Sequence, residues 1–172
     1  MNKGFTLLEV IIVAGMVSAL IAIVSFMYVL GLESWGAGKT RIELRESLNQ
    51  GIQTMVRDIR HAKDPTTVTD SVITITAVDF ESGVTPPPDA TYRYYLYNSG
   101  DALPNPPYTA SSYMLMQSKN TAVYGAGRVL ARDVAQPASA PFAESGNLVT
   151  ISLSVAREGQ TISIRTAVNR RN

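Results

Sequence analysis

The chain has no cysteine, one histidine (His61) and no proline before Pro65. Without thiols, disulfides and thiolate metal sites are excluded, and the redox compartment cannot be read from cysteine usage. A single imidazole rules out metal centres and acid–base constellations that need several. Charge of one sign is also missing. The 15 basic and 14 acidic residues are interspersed, for a net charge of +1, with no basic block or stripe. A protein that binds by neutralising phosphates needs a clustered basic surface, so no nucleic-acid partner is expected. Charged residues are 17% of the 172 and hydrophobic ones 45%. That supplies a core for one modest domain plus an appendage.

The apolar residues are concentrated near the N-terminus. From Val10 to Leu32 the chain reads VIIVAGMVSALIAIVSFMYVLGL, with no charged residue. A run of this length can cross a hydrocarbon layer of roughly 30 Å as a helix. Helix is also the state that satisfies every backbone polar group inside such a segment. A buried core helix is the bland alternative, but few soluble folds need an uninterrupted apolar helix this long. A cleavable secretory signal is the stronger rival; it would have a shorter apolar core with its small-residue cleavage site after that core. Here the run is too long and ends in Gly31-Leu32-Glu33-Ser34-Trp35. Glu9 lies at the edge of the run. A carboxylate there costs several kcal/mol unless paired or neutralised, so it is either a functional group awaiting a partner or an interfacial residue reaching headgroups.

The segment Gly4-Phe5-Thr6-Leu7-Leu8-Glu9-Val10 resembles the cleavage and methylation motif of the type IV prepilin-like family, and it leads directly into the apolar run. The resemblance implies that a membrane prepilin peptidase cuts between Gly4 and Phe5 and methylates the new amine on Phe5. Lys3 would then hold the leader in the cytoplasm by the positive-inside rule. It also implies a partner for Glu9, namely the N-terminal amine of a neighbouring subunit. The absence of proline before Pro65 departs from major type IV pilins, which often carry one in this segment.

Further along, Leu44, Leu48, Ile52, Met55, Val56 and Ile59 recur at spacings of three and four, an amphipathic stripe that Asp64-Pro65 would stop. A helix continuous from Thr6 to Ala62 would be on the order of 85 Å long. Gly31, Gly36 and Gly38 would weaken its middle by about 1 kcal/mol each, predicting a bend or local unwinding. After Pro65 the period changes to two. Strands are expected over 72–78, 91–97, 113–116, 128–134, 149–155 and 161–168, with Arg157-Glu158-Gly159-Gln160 as a hairpin turn. Surface loops are expected at Pro86-Pro87-Pro88, over 103–107, and from Gln136 to Gly146.

The remaining chemistry-bearing residues have plain readings. Gly125-Ala126-Gly127-Arg128 lacks the strand–loop–helix context of a dinucleotide fingerprint and reads as a turn. His61 at a helix end is placed to cap the last carbonyls. Tyr92, Tyr94, Tyr95 and Tyr97 read as sheet and core rather than base-stacking residues. Asp70, Asp79, Asp89 and Asp101 form no recognisable calcium loop, so no metal and no cofactor is assigned.

The expected fold is α+β and pilin-like: a long N-terminal helix packed on an antiparallel β-sheet head. Its parts are a cleaved leader (1–4), a transmembrane and assembly helix (5–32), an amphipathic continuation (33–64) and a periplasmic head (65–172). The helix end, the Val129–Val134 segment and the terminal hairpin look like J-type minor pseudopilins of type II secretion and related minor pilins. The resemblance implies a non-enzymatic structural subunit that helps start or cap a pseudopilus. It would be single-pass in the inner membrane, with prepilin peptidase, other pilin or pseudopilin subunits and the inner-membrane assembly platform as partners. The other readings are a minor pilin of a type IV pilus or a tip adhesin.

Overall fold

The computed structural model describes residues 6–63, 66–69, 72–79, 82–101, 108–121 and 123–169. Chain order among them is α1 (Leu7–Arg60), β1 (Thr67–Val68), β2 (Val72–Val78), β3 (Asp89–Tyr97), β4 (Ser112–Lys119), β5 (Arg128–Ala135), β6 (Phe142–Ser145), β7 (Leu148–Arg157) and β8 (Gln160–Asn169). The chain divides into two compact units, Met1–Lys39 and Thr40–Asn172.

In the first unit α1 is apolar on every side. In the second it is one-sided: Leu44, Leu48, Gly51, Ile52, Met55 and Ile59 are buried, as the spacing predicts, and Val56 is half-buried. The helix runs unbroken through Gly31, Gly36 and Gly38, so the expected unwinding does not occur. Propagation adds a hydrogen bond for each residue fixed, and helix already formed on both sides outweighs about 1 kcal/mol per glycine. The helix ends at Arg60, where Ala62 N–H donates to Ile59 O at 3.4 Å, and Asp64 and Pro65 lie outside the described residues.

The strands form one antiparallel sheet in the order β1-β2-β3-β4-β5-β7-β6, with β8 on the other side of β7. Its helix-facing side carries Ile73, Ile75, Tyr94, Leu96, Tyr113, Leu115, Val149, Ile151, Leu153 and Val155, which build one core with the α1 stripe. This is the expected α+β, pilin-like architecture, with helix and sheet as the change of period implies and the pilin-like character as the resemblance implies. A second, smaller cluster of Val72, Tyr95 and Met116 lies apart from it, with Tyr97, Met114, Tyr124 and Val129 against it.

One expectation needs correction. Residues 136–146 are not all loop, because Phe142 is fully buried and anchors β6 on β7, with Phe142 opposite Ile151. Four residues are too short a run for a period of two to show. Register in β5 also slips against β4, between Tyr113 and Leu115 and again between Leu115 and Met116. Asp133, at φ 57°, sits in the first irregularity, and Leu130 is the extra residue in the second. Such bulges bend a strand and increase its twist. The Leu130 bulge lies against α1 at Gly51. A Cβ on Gly51 would lie 3.2 Å from Leu115 Cδ2 and 3.4 Å from Leu130 O.

Candidate functional site

The first unit presents an apolar helix whose most apolar window is not buried by any described residue. Leu7, Ile11, Met16, Leu20, Ile21, Val24, Phe26 and Met27 are each at least 62% exposed. This is a helix long and apolar enough to cross a membrane, and none of its most apolar window is buried. A soluble core helix would bury such a surface, so that reading fails here. Inside the run, the Ser18 hydroxyl is satisfied within the helix, Oγ donating to Ala14 O at 2.8 Å. Glu33 is the first charge after the run, and Trp35, 78% exposed, follows it. An aromatic beside the first charge suits a membrane–water boundary.

At the other end Thr6 begins the helix. Glu9 N–H donates to Thr6 O at 3.1 Å and to Thr6 Oγ1 at 3.3 Å. Thr6-Leu7-Leu8-Glu9 therefore has the spacing of a capping box, with the threonine hydroxyl taking one of the orphan amides of the first turn. The Glu9 carboxylate makes no hydrogen bond or ion pair with a described residue, and it is exposed. A carboxylate in the first turn is favoured by the helix dipole, which gives Glu9 a local role beside any intermolecular one. The S/T-x-x-E spacing was the signal in the sequence for this cap. Gly4 and Phe5 lie outside the described residues.

The second unit has a cleft of about 600 Å³ at the end of α1, lined by Thr54, Arg57, Asp58, His61, Tyr92 and Gln117 among others. On it lies a half-buried polar network. Asp58 accepts from Tyr94 Oη at 2.5 Å, from Gln117 Nε2 at 3.1 Å and from Arg57 Nε at 3.0 Å. Gln117 Nε2 also lies 2.7 Å from Tyr94 Oη. Burial, and next to it the Asp58 carboxylate, push the Tyr94 hydroxyl far above the usual phenol range, so it stays a neutral donor. These contacts tie the last turns of α1 to β3 and β4.

The other sequence candidates resolve singly. His61 lines the cleft, and its ring makes no hydrogen bond with a described residue, so it does not cap α1. The helix ends at Arg60, one residue before His61, which is exposed. Gly125 and Gly127 do form a turn. A Cβ on Gly127 would stand 2.3 Å from Gln117 O, and one on Gly125 2.6 Å from the Tyr97 ring. Tyr94 and Tyr95 are buried in the sheet, with Tyr92 and Tyr97 half-buried. Asp79 pairs with Lys119 at 2.7 Å, Asp89 with Lys63 at 2.6 Å, and Asp101 accepts from Thr109 Oγ1 at 2.7 Å. The three are not brought together, and Asp70 lies outside the described residues.

Comparison with models of known protein families, with curated proteins and with solved structures yields no match.

Proposed function

We propose that this chain is a minor subunit of a prepilin-type filament, a pseudopilin that helps start or cap the pseudopilus of a type II secretion system. The observation that carries the proposal is the apolar helix of the first unit, exposed on all sides, with a lone carboxylate, Glu9, in its first turn. A membrane accommodates the apolar surface, and headgroups or the helix dipole can accept the acid, but neither gives it a partner of opposite charge. Packing among like helices accounts for both. The prepilin-like segment from Gly4 to Val10 supports the same reading.

In this reading the peptidase cuts between Gly4 and Phe5 and Phe5 is N-methylated, while α1 anchors the protein in the inner membrane with the sheet on the periplasmic side. The amine of one subunit then meets Glu9 of the next. Two unit charges 4 Å apart attract by about 4 kcal/mol at an effective dielectric of 20. An unpaired carboxylate within the membrane costs roughly 2.5–3.5 kcal/mol. Only the register that pairs them escapes that cost, which makes the acid a register device. The proline-free helix and the proline-rich head loops favour a rare subunit at a filament end over the repeating one.

Glu9→Ala tests this. Membrane insertion should be unchanged and incorporation into filaments should fall at least tenfold, with Glu9→Gln nearly as defective. Filament fractions quantified against total membrane protein give the result. Wild-type incorporation of the alanine variant would reduce Glu9 to a residue of the helix cap.

A further inference from the structure

β8 closes one end of the sheet and, among the described residues, pairs only with β7. Its register to β7 is continuous, from Arg157 opposite Gln160 to Leu148 opposite Asn169, with no bulge. The turn is a two-residue one in which Glu158 (φ 52°) and Gly159 (φ 74°) both take the left-handed region, as a type I′ hairpin requires. In such a hairpin the pair flanking the turn exchanges both backbone hydrogen bonds, and so does every second pair after it. Ile162, Ile164, Thr166 and Val168 therefore spend their backbone groups on β7. Thr161, Ser163, Arg165, Ala167 and Asn169 turn their N–H and C=O groups outward, and none of these bonds to a described residue.

Natural sheets guard such edges with proline, bulges, lysines, inward charges, very short strands or a covering loop. The opposite end of this sheet follows that rule, since β1 has two residues. β8 does not. It is 10 residues long, on the order of 33 Å, with no proline, no glycine and one charged residue, Arg165. Its sequence QTISIRTAVN is rich in β-branched residues and low in charge, the composition that adds strands most readily. On its helix-facing side Ile162 and Ile164 are only half-buried, where the corresponding residues of β7 are fully buried. An added strand would complete that burial with alternate apolar side chains. On the other side Thr161, Ser163, Arg165 and Ala167 are exposed, and Arg165 is the one charge to be matched.

We infer that the outer edge of β8 is a docking site for an extended, acidic segment of a partner protein, which joins the sheet as a further strand with a carboxylate beside Arg165. Backbone bonds to the outward rungs supply affinity, and the Ile162–Ile164 surface and Arg165 supply selection. The inference goes beyond the filament reading and rests on the head alone. Its failure would leave assembly through α1 and Glu9 untouched.

The test uses the full chain in detergent micelles and a synthetic ten-residue peptide alternating valine and threonine, with one central glutamate. Amide hydrogen exchange at Ser163, Arg165 and Ala167 should slow at least tenfold on adding peptide, while Ile162 and Ile164, already bonded to β7, stay unchanged. Arg165→Glu should weaken the glutamate peptide at least tenfold and accept a lysine version instead. Ser163→Pro removes an outward donor without touching the β7 ladder and should abolish binding. If that variant misfolds, the charge swap still decides. Absence of protection, protection elsewhere on the head, or binding indifferent to the charge swap would overturn the inference. So would a concentration-dependent dimer protecting the same amides without peptide, which would seat a second copy there.

Discussion

Asp58 is a half-buried carboxylate holding donors from α1, β3 and β4, and its neighbour Tyr94 is fully buried. Removing the phenol hydroxyl by Tyr94→Phe should cost about 1.5–3 kcal/mol at neutral pH, the range for a hydrogen bond to a charged group. The same residue sets an alkaline limit. Its folded-state pKa is raised above the unfolded value near 10, chiefly by burial. The resulting stability is fully present below about pH 10 and is lost as pH rises beyond it, at about 1.4 kcal/mol per pH unit for one proton. Tyr95, Tyr113 and Tyr124 are raised in the same direction, again chiefly by burial. Urea unfolding of the wild type at pH 9, 10 and 11 should show accelerating loss, and Tyr94→Phe should flatten it by one proton's worth. An unchanged slope in the variant would show that the phenol ionises freely in the folded head. None of this network could be read from the sequence. Its members are 36 and 59 residues apart from Asp58 and meet only once the strands are in register. Glu9 was readable, because a lone acid at the edge of an apolar run is conspicuous without any neighbours.

The amphipathic stripe of α1 was legible because a period of 3.6 repeats over five turns, and β2, β7 and β8 were legible because theirs alternates cleanly. Gly51 lies buried on the same face of the helix. In the structure it is the contact that lets the helix reach the sheet. A small side chain can be absorbed by rotating Leu115, but Leu130 O is backbone on a bulged strand and cannot yield as far. Gly51→Leu should therefore lever α1 from β4 and β5 and cost about 3 kcal/mol, at the upper end for overpacking. Gly51→Ala should lie near neutral, with about 1 kcal/mol of helix propensity offsetting a close contact. Thermal unfolding of the two variants decides this; equal destabilisation would mean that the helix does not approach the bulge so closely. The β5 bulges and β6 escaped the sequence for related reasons. A bulge breaks the alternation that marks a strand, and β6 is fixed by where β7 lies rather than by its own pattern.

At the scale of the whole molecule, one helix serves two compact units of opposite character. In the head unit α1 buries its apolar stripe on the sheet and shows its charges to solvent. In the N-terminal unit every face is apolar and uncovered, which no monomer in water tolerates over such a length. The head has a core of its own and the N-terminal unit does not; in the reading proposed here, its surroundings are a bilayer and the helices of neighbouring subunits. That reading turns on processing: a filament subunit of this kind must first lose its leader to expose the amine that a neighbour's Glu9 receives. Mass spectrometry of the N-terminal peptide from membrane fractions measures this directly. The account predicts a mature chain that begins at Phe5 and carries one added methyl group on its amine. Recovery only of chains that begin at Met1, or after the apolar run, would contradict it.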